Sequence, residues 1–120
     1  MTFAYTGKAM SRTLLLNIAD SVNHFLALNP LTIDRAGVNS FHWEKHNRQR
    51  RDVLLYLSEE SAAVIHALRK THNIPERPGQ PEVHVTHKVD CGSAEEAEAV
   101  AASLRSLLPL KLTYTGTTID

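Results

Sequence analysis

The sequence predicts an α+β fold, in which a helical N-terminal part packs with a small sheet that includes a C-terminal β-α-β unit. Three observations carry this expectation. Leu15, Ile18, Val22, Phe25 and Leu26 recur mostly at spacings of three and four, the period of an amphipathic helix. Pro75-Glu76-Arg77-Pro78-Gly79-Gln80-Pro81 interrupts the chain with a stiff loop. Beyond it come an alternating segment, an acidic alanine-rich helical pattern and a second alternating segment.

Taken in order, Thr2-Phe3-Ala4-Tyr5-Thr6 is rich in aromatic and β-branched residues and ends at Gly7, as a short strand does. The first helical pattern covers about 12–28, and Asn29-Pro30 stops it because the proline ring clashes with a continuing helix. Leu31 to Asn39, with Gly37, reads as a connector. Ser40 then caps a second helix that begins near Phe41 and carries a basic stretch. Val53-Leu54-Leu55-Tyr56-Leu57 reads as the buried last turns of that helix, with a buried strand as the alternative, since periodicity does not separate the two.

Ser58-Glu59-Glu60 opens a further helix, a hydroxyl cap followed by acids at the positive end of the dipole. Val64, Ile65, Leu68 and His72 share one of its faces, and it ends by Asn73. From Glu82 to Val89 the chain alternates, with Val83, Val85, His87 and Val89 on one face and His84, Thr86 and Lys88 on the other. Ser93-Ala94-Glu95-Glu96 is a capping box, followed by a stripe of Ala97, Val100, Leu104 and Leu107 or Leu108 that Pro109 closes. Leu110, Leu112 and Tyr114 alternate in a last strand. A crossover helix between two strands of one sheet makes those strands parallel, and the N-terminal strand is expected in the same sheet. Residues 1–120 are read as a single domain, mainly helical over 1–74, with a proline-rich loop at 75–81 and the β-α-β part at 82–120.

The charge is distributed unevenly. Thirteen basic and thirteen acidic residues cancel overall. Residues 1–74 nevertheless carry nine Lys/Arg against six Asp/Glu, and residues 75–120 carry four against seven. Residues 42–51 alone hold four bases and one acid, which equals the whole excess of the first part. A dense local patch of cations faces either solvent or an anionic partner. One cysteine, Cys91, rules out an internal disulfide framework and favours a reducing compartment. No apolar run reaches the roughly 20 residues that span a bilayer, and the N-terminus lacks a secretory pattern, so the expectation is a small soluble cytoplasmic domain without a membrane partner.

The basic segment Phe41-His42-Trp43-Glu44-Lys45-His46-Asn47-Arg48-Gln49-Arg50-Arg51 is the candidate site. Cations spaced to meet phosphates, interleaved with aromatics and amides, are what a nucleic-acid surface requires. Trp43, Lys45, Asn47, Arg48, Arg50 and Arg51 are therefore the candidate binding residues. On a helix, Trp43 and Leu54 face the core while Lys45, Arg48 and Arg51 lean outward together. A helix-turn-helix arrangement, with Leu31–Ala36 first and Ser40–Arg51 as recognition helix, is disfavoured. Pro30 leaves its first helix barely two turns, and Ile33 and His46 fall where a small and an apolar residue are wanted. The bland alternative is a solvated cationic face or a contact for the acidic second half.

Other chemistry is weighed against this. His42 and His46 lie four apart, so on a helix both rings reach one metal, but no third ligand follows by spacing and the glutamate of a zinc-protease motif is missing. His84 and His87 project to opposite faces of a strand. Cys91, between a strand end and the Ser93 cap, occupies a place where a thiol is activated, although a small residue tucked under a helix start is the usual explanation. No catalytic residue, metal ligand or cofactor is assigned. The sequence reads as a non-catalytic regulatory or accessory protein that engages an anionic partner, nucleic acid first. The alternatives are a protein–protein or self-associating module using an acidic surface or a second copy, and a small His-metal or Cys-His enzyme.

Overall fold

The computed structural model describes residues 2–4, 11–76, 82–112 and 118–119, with backbone alone at the two end segments. Its elements are β1 (Thr2–Ala4), α1 (Arg12–Leu28), β2 (Leu31–Trp43), β3 (Arg48–Leu57), α2 (Glu59–Thr71), β4 (His84–Lys88), α3 (Ala94–Arg105), β5 (Leu110–Leu112) and β6 (Thr118–Ile119). Helices and strands are mixed, and the fold is α+β. A four-stranded sheet in the order β4-β3-β2-β5 forms its centre, with every neighbouring pair antiparallel.

The helices follow the local chemistry of the sequence. Ser11 caps α1 by accepting from the Leu14 N–H at 3.2 Å, and Ile18, Val22 and Leu26, four apart, are its buried residues. Ser58 caps α2 through the Ser61 N–H, with Glu59 and Glu60 in the first turn. Ser93 caps α3 through the Glu96 N–H. The buried stripe of α3 is Ala97 and Ala101, with Val100 and Leu104 partly buried. This helix stops at Arg105, earlier than its apolar pattern suggests, and Leu107 lies 64% exposed.

The basic segment corrects the expectation of a second helix. Residues 31–57 form a long hairpin, in which β2 and β3 are joined by a short three-ten turn, Glu44–His46, and Asn47 in the left-handed region (φ 45°). Leu31 to Asn39 is strand rather than connector, and 53–57 is strand rather than helix. The physical reason lies in residue type. Val38, Phe41, Trp43, Val53 and Tyr56 suit a pleated surface better than a helix interior, and Asn47 tolerates the positive φ that closes the hairpin.

The register explains how one strand serves two environments. Ile33 pairs with Leu57 and Arg35 with Tyr56, so Asp34 is an extra residue, a β-bulge. Leu31 and Ile33 before the bulge, and Ala36 and Val38 after it, consequently face the helices. There they meet two apolar clusters. Ile18, Val22, Leu26, Leu31, Ile33, Leu57, Ile65, Ile74 and Val83 form the larger. Val53, Cys91, Ala97 and Ala101, flanked by Val38, form the smaller.

The strand–helix–strand order of the C-terminal part matches the sequence expectation, but its strands do not lie side by side. β4 and β5 occupy opposite edges of the sheet and run in opposite senses. β1 also joins no strand of this sheet; it pairs in parallel with β6. The alternation over 82–89 breaks at a register shift, where Val53 pairs with Lys88 and Leu54 with Thr86, leaving His87 as an exposed extra residue. Tyr5 to Gly7, Tyr114 and most of the proline-rich loop lie outside the described residues.

Candidate functional site

One face of the β2–β3 hairpin packs on helices; the other buries Leu54 and Asp52 (2% and 7% exposed) midway and is open toward the tip, where Phe41 and Arg48 are exposed. Cross-strand pairs on the open face run Arg35–Tyr56, Gly37–Leu54, Asn39–Asp52, Phe41–Arg50 and Trp43–Arg48. Five of the six candidate residues therefore bear on this face or its turn: Trp43, Arg48 and Arg50 on the strands and Lys45 and Asn47 at the turn. Lys45 sits exposed in the turn. Arg51 pairs with Ser40 on the opposite face, so the sequence-level grouping of Lys45, Arg48 and Arg51 is not preserved.

The aromatics and guanidinium groups stack. Arg50 lies 4.9 Å from the Trp43 ring centroid and 5.4 Å from that of Phe41, and Arg48 lies 5.0 Å from Trp43. His46 adds a tilted ring contact to Trp43 at 4.0 Å between centroids. Farther down the same face Arg35 covers Tyr56 at 5.5 Å, and Tyr56 meets His84 edge-on. Phe41 and Tyr56 add to the platform. Phe41 was flanked by the basic run in the sequence, whereas Tyr56 and Arg35 become visible as part of it only once the register is known.

These arginines are also bound to carboxylates. Arg48 donates through both terminal nitrogens to Asp90, at 2.8 and 2.6 Å. Arg50 Nε donates to Asp52 Oδ1 at 2.8 Å, and the same oxygen accepts from the Asp90 N–H at 2.9 Å. Arg35 binds Glu82 and Asp34. Asp90 and Glu82 belong to the acidic second half, so part of the basic segment does contact it. The Arg48 hydrogen bonds hold the Asp90 carboxyl below the usual carboxylate value, reinforced by the charges of Arg48, Arg50 and His46 and opposed by desolvation. Among the described residues, Lys45 and Arg51 make no ion pair.

The remaining candidates are dispersed. His42 lies on a strand and His46 in the turn, so the helical spacing that would have joined their rings does not exist. Among the described residues no three His, Cys, Asp or Glu side chains gather in a metal-binding group. Cys91 is 3% exposed, packs with Val53, Ala97 and Ala101, and donates its N–H to the Arg51 carbonyl at 2.8 Å. His66 and Arg69 both bind Glu76, and His24 contacts Asp20 one turn away. No helix among the described residues is long and apolar enough to cross a membrane.

No family model, no curated protein and no solved structure matches this chain.

Proposed function

We propose that the chain is a small non-catalytic accessory or regulatory protein that binds an anionic partner, nucleic acid first, through the open face and tip of the β2–β3 hairpin. The observation that carries this is the arrangement of Phe41 and Trp43 with Arg48 and Arg50 on an open sheet face. Aromatic rings and guanidinium planes are stacking surfaces for splayed bases, and a sheet holds them in fixed register. Single strands are accordingly the preferred form, because their bases are free to stack. Lys45 at the tip supplies a cation that makes no ion pair among the described residues, Arg51 adds another from the opposite face of the same hairpin, and Asn47 at the turn supplies an amide. Phosphate replaces the Asp90 carboxylate on Arg48 through the same bidentate geometry. An acidic protein surface offers similar charge without bases to stack, and it is the second reading.

The test is binding to labelled single- and double-stranded oligonucleotides across a salt series. Reversing Arg48 or Arg50 is unsuitable because both are tied into the fold, so the informative variants are Trp43→Ala and the pair Lys45→Glu with Arg51→Glu. Wild-type binding should weaken with salt at a slope of about −0.7 per phosphate contacted on single strands. Trp43→Ala should cost about 1–3 kcal/mol of affinity if a base stacks there. The Lys45/Arg51 variant should shallow the salt slope. Absence of binding at low salt would remove nucleic acid, and binding indifferent to Trp43 would remove the stacking platform.

A further inference from the structure

We propose that two copies of the chain associate through the outer edge of β2, antiparallel about a two-fold axis at Ser40, joining their four-stranded sheets into one continuous sheet. This goes beyond the nucleic-acid reading and does not depend on it.

The observation is an edge that no described strand covers beyond Ile33. β5 covers β2 only at Leu31, Thr32 and Ile33, and Pro109, which has no N–H to donate, immediately precedes it. Past that point, among the described residues, β2 is paired on its β3 side alone. The polarity of its backbone follows from neighbouring bonds. The Arg51 carbonyl accepts from Cys91, so Arg51 points toward the β4 side of β3, and Arg50 and Asp52 point toward β2. Their partners Phe41 and Asn39 point back. Val38, Ser40 and His42 must then present their N–H and C=O groups outward. Ala36 fits this alternation, because its carbonyl accepts from Arg105 Nε at 3.1 Å.

Exposed edges are ordinarily blunted by lysine, proline, a bulge or a covering element. From Ala36 to Trp43 the strand contains no proline and no Asp, Glu, Lys or Arg. Such an edge is a template for another strand. Its geometry selects a second copy as occupant. Ala36 already has a partner, so the free ladder runs Val38–Ser40–His42 and its centre is Ser40. Antiparallel pairing of that ladder with itself sets Val38 opposite His42 of the second copy, and Ser40 opposite its own counterpart. The same register sets Trp43 opposite Gly37 of the second copy, which has no side chain of its own and is flanked by the Tyr56 ring. Just past the end of the strand it brings Glu44 toward Ala36 of the second copy and its Arg105, so opposite charges approach on both sides of the axis. The open faces of both copies then form one surface.

Sedimentation velocity over a concentration series, in buffer free of nucleic acid, tests this. The wild type should move from the mass of one chain toward that of two. Ser40→Pro removes only an outward N–H, so it should leave the thermal melt in place and hold the protein at the mass of one chain. Ser40→Cys should link to its own counterpart under mild oxidation, because facing residues have Cα atoms about 5.5 Å apart. His42→Cys should not, being displaced from its counterpart by roughly 13 Å along the strand. A wild type that stays at one chain's mass, association that survives Ser40→Pro, or linkage at position 42 in place of 40 would each overturn the proposal. Should Ser40→Pro fail to fold, the two cysteine variants decide it.

Discussion

Asp52 is 7% exposed, and one of its oxygens receives both Arg50 Nε and the Asp90 N–H, so it ties the hairpin to the segment between β4 and α3. Asp52→Ala deletes both bonds. A buried N–H left without an acceptor costs about 1–3 kcal/mol, and the Asp90 N–H, only partly buried, falls toward the lower end. Breaking a fully buried ion pair costs about 3–5 kcal/mol, but the Arg50 side chain is 24% exposed and retains its two aromatic contacts, so its share is smaller. The expected loss is about 2–3 kcal/mol, which lowers the melting temperature by roughly 10 °C in a chain of this size. Asp52→Asn keeps an acceptor oxygen and should cost about 1 kcal/mol. Urea unfolding at neutral pH with matched m-values measures both, and a double-mutant cycle with Arg50→Ala should return a coupling of about 1 kcal/mol or more. Asp52→Ala within about 0.5 kcal/mol of wild type, the range of an ordinary surface change, would refute the argument that this carboxylate holds the hairpin to the segment between β4 and α3.

Three further outcomes are expected. Asn47→Gly should leave stability within a few tenths of a kcal/mol, whereas Asn47→Val should cost about 1–2 kcal/mol in the same unfolding assay, because its φ of 45° penalises a β-branched residue. The Asp90 carboxyl is held below its ordinary value near 3.8, so its contribution to stability is complete above that value and is lost as pH falls through the lower folded-state value. Carboxyl-carbon NMR should show the Asp90 midpoint rising in Arg48→Ala; an unmoved midpoint would show that Arg48 does not hold it. Ala101→Pro, at a buried position inside α3, should cost about 3 kcal/mol or more, and a variant with native-like circular dichroism and melt would contradict the helix.

Much of the helical architecture was legible because each helix carries its own signals. Ser11, Ser58 and Ser93 all accept from the backbone N–H three residues on, and Pro30 marks the stop of α1. The hairpin was not legible for a converse reason. Its turn contains no glycine, and the lysine, arginine and glutamine of its tip score as helix formers when taken one by one. Pairing between residues as far apart as Ile33 and Leu57 decides the conformation, and local propensity does not encode that pairing. Asn47 was the one local clue, as a residue that tolerates positive φ. The cations of the candidate site were visible as composition. Their neutralisation was not, because Asp90 meets Arg48 only through the sheet and the sequence shows no sign of a contact over that distance.

Asp34 sets the phase of everything downstream of it. A strand side chain changes faces with every residue, so a length change of one inverts all that follows. Removing Asp34 would force a choice between two outcomes. Either Ala36 and Val38 leave the helices and Phe41 and Trp43 turn inward, or Leu31 and Ile33 are expelled from the larger cluster. Substitution at this exposed site alters a carboxylate near Arg35; deletion reverses the molecule's inside and outside along half a strand. Tolerance here should thus divide by kind of change, with point replacements accepted broadly and single-residue indels accepted only in compensating pairs.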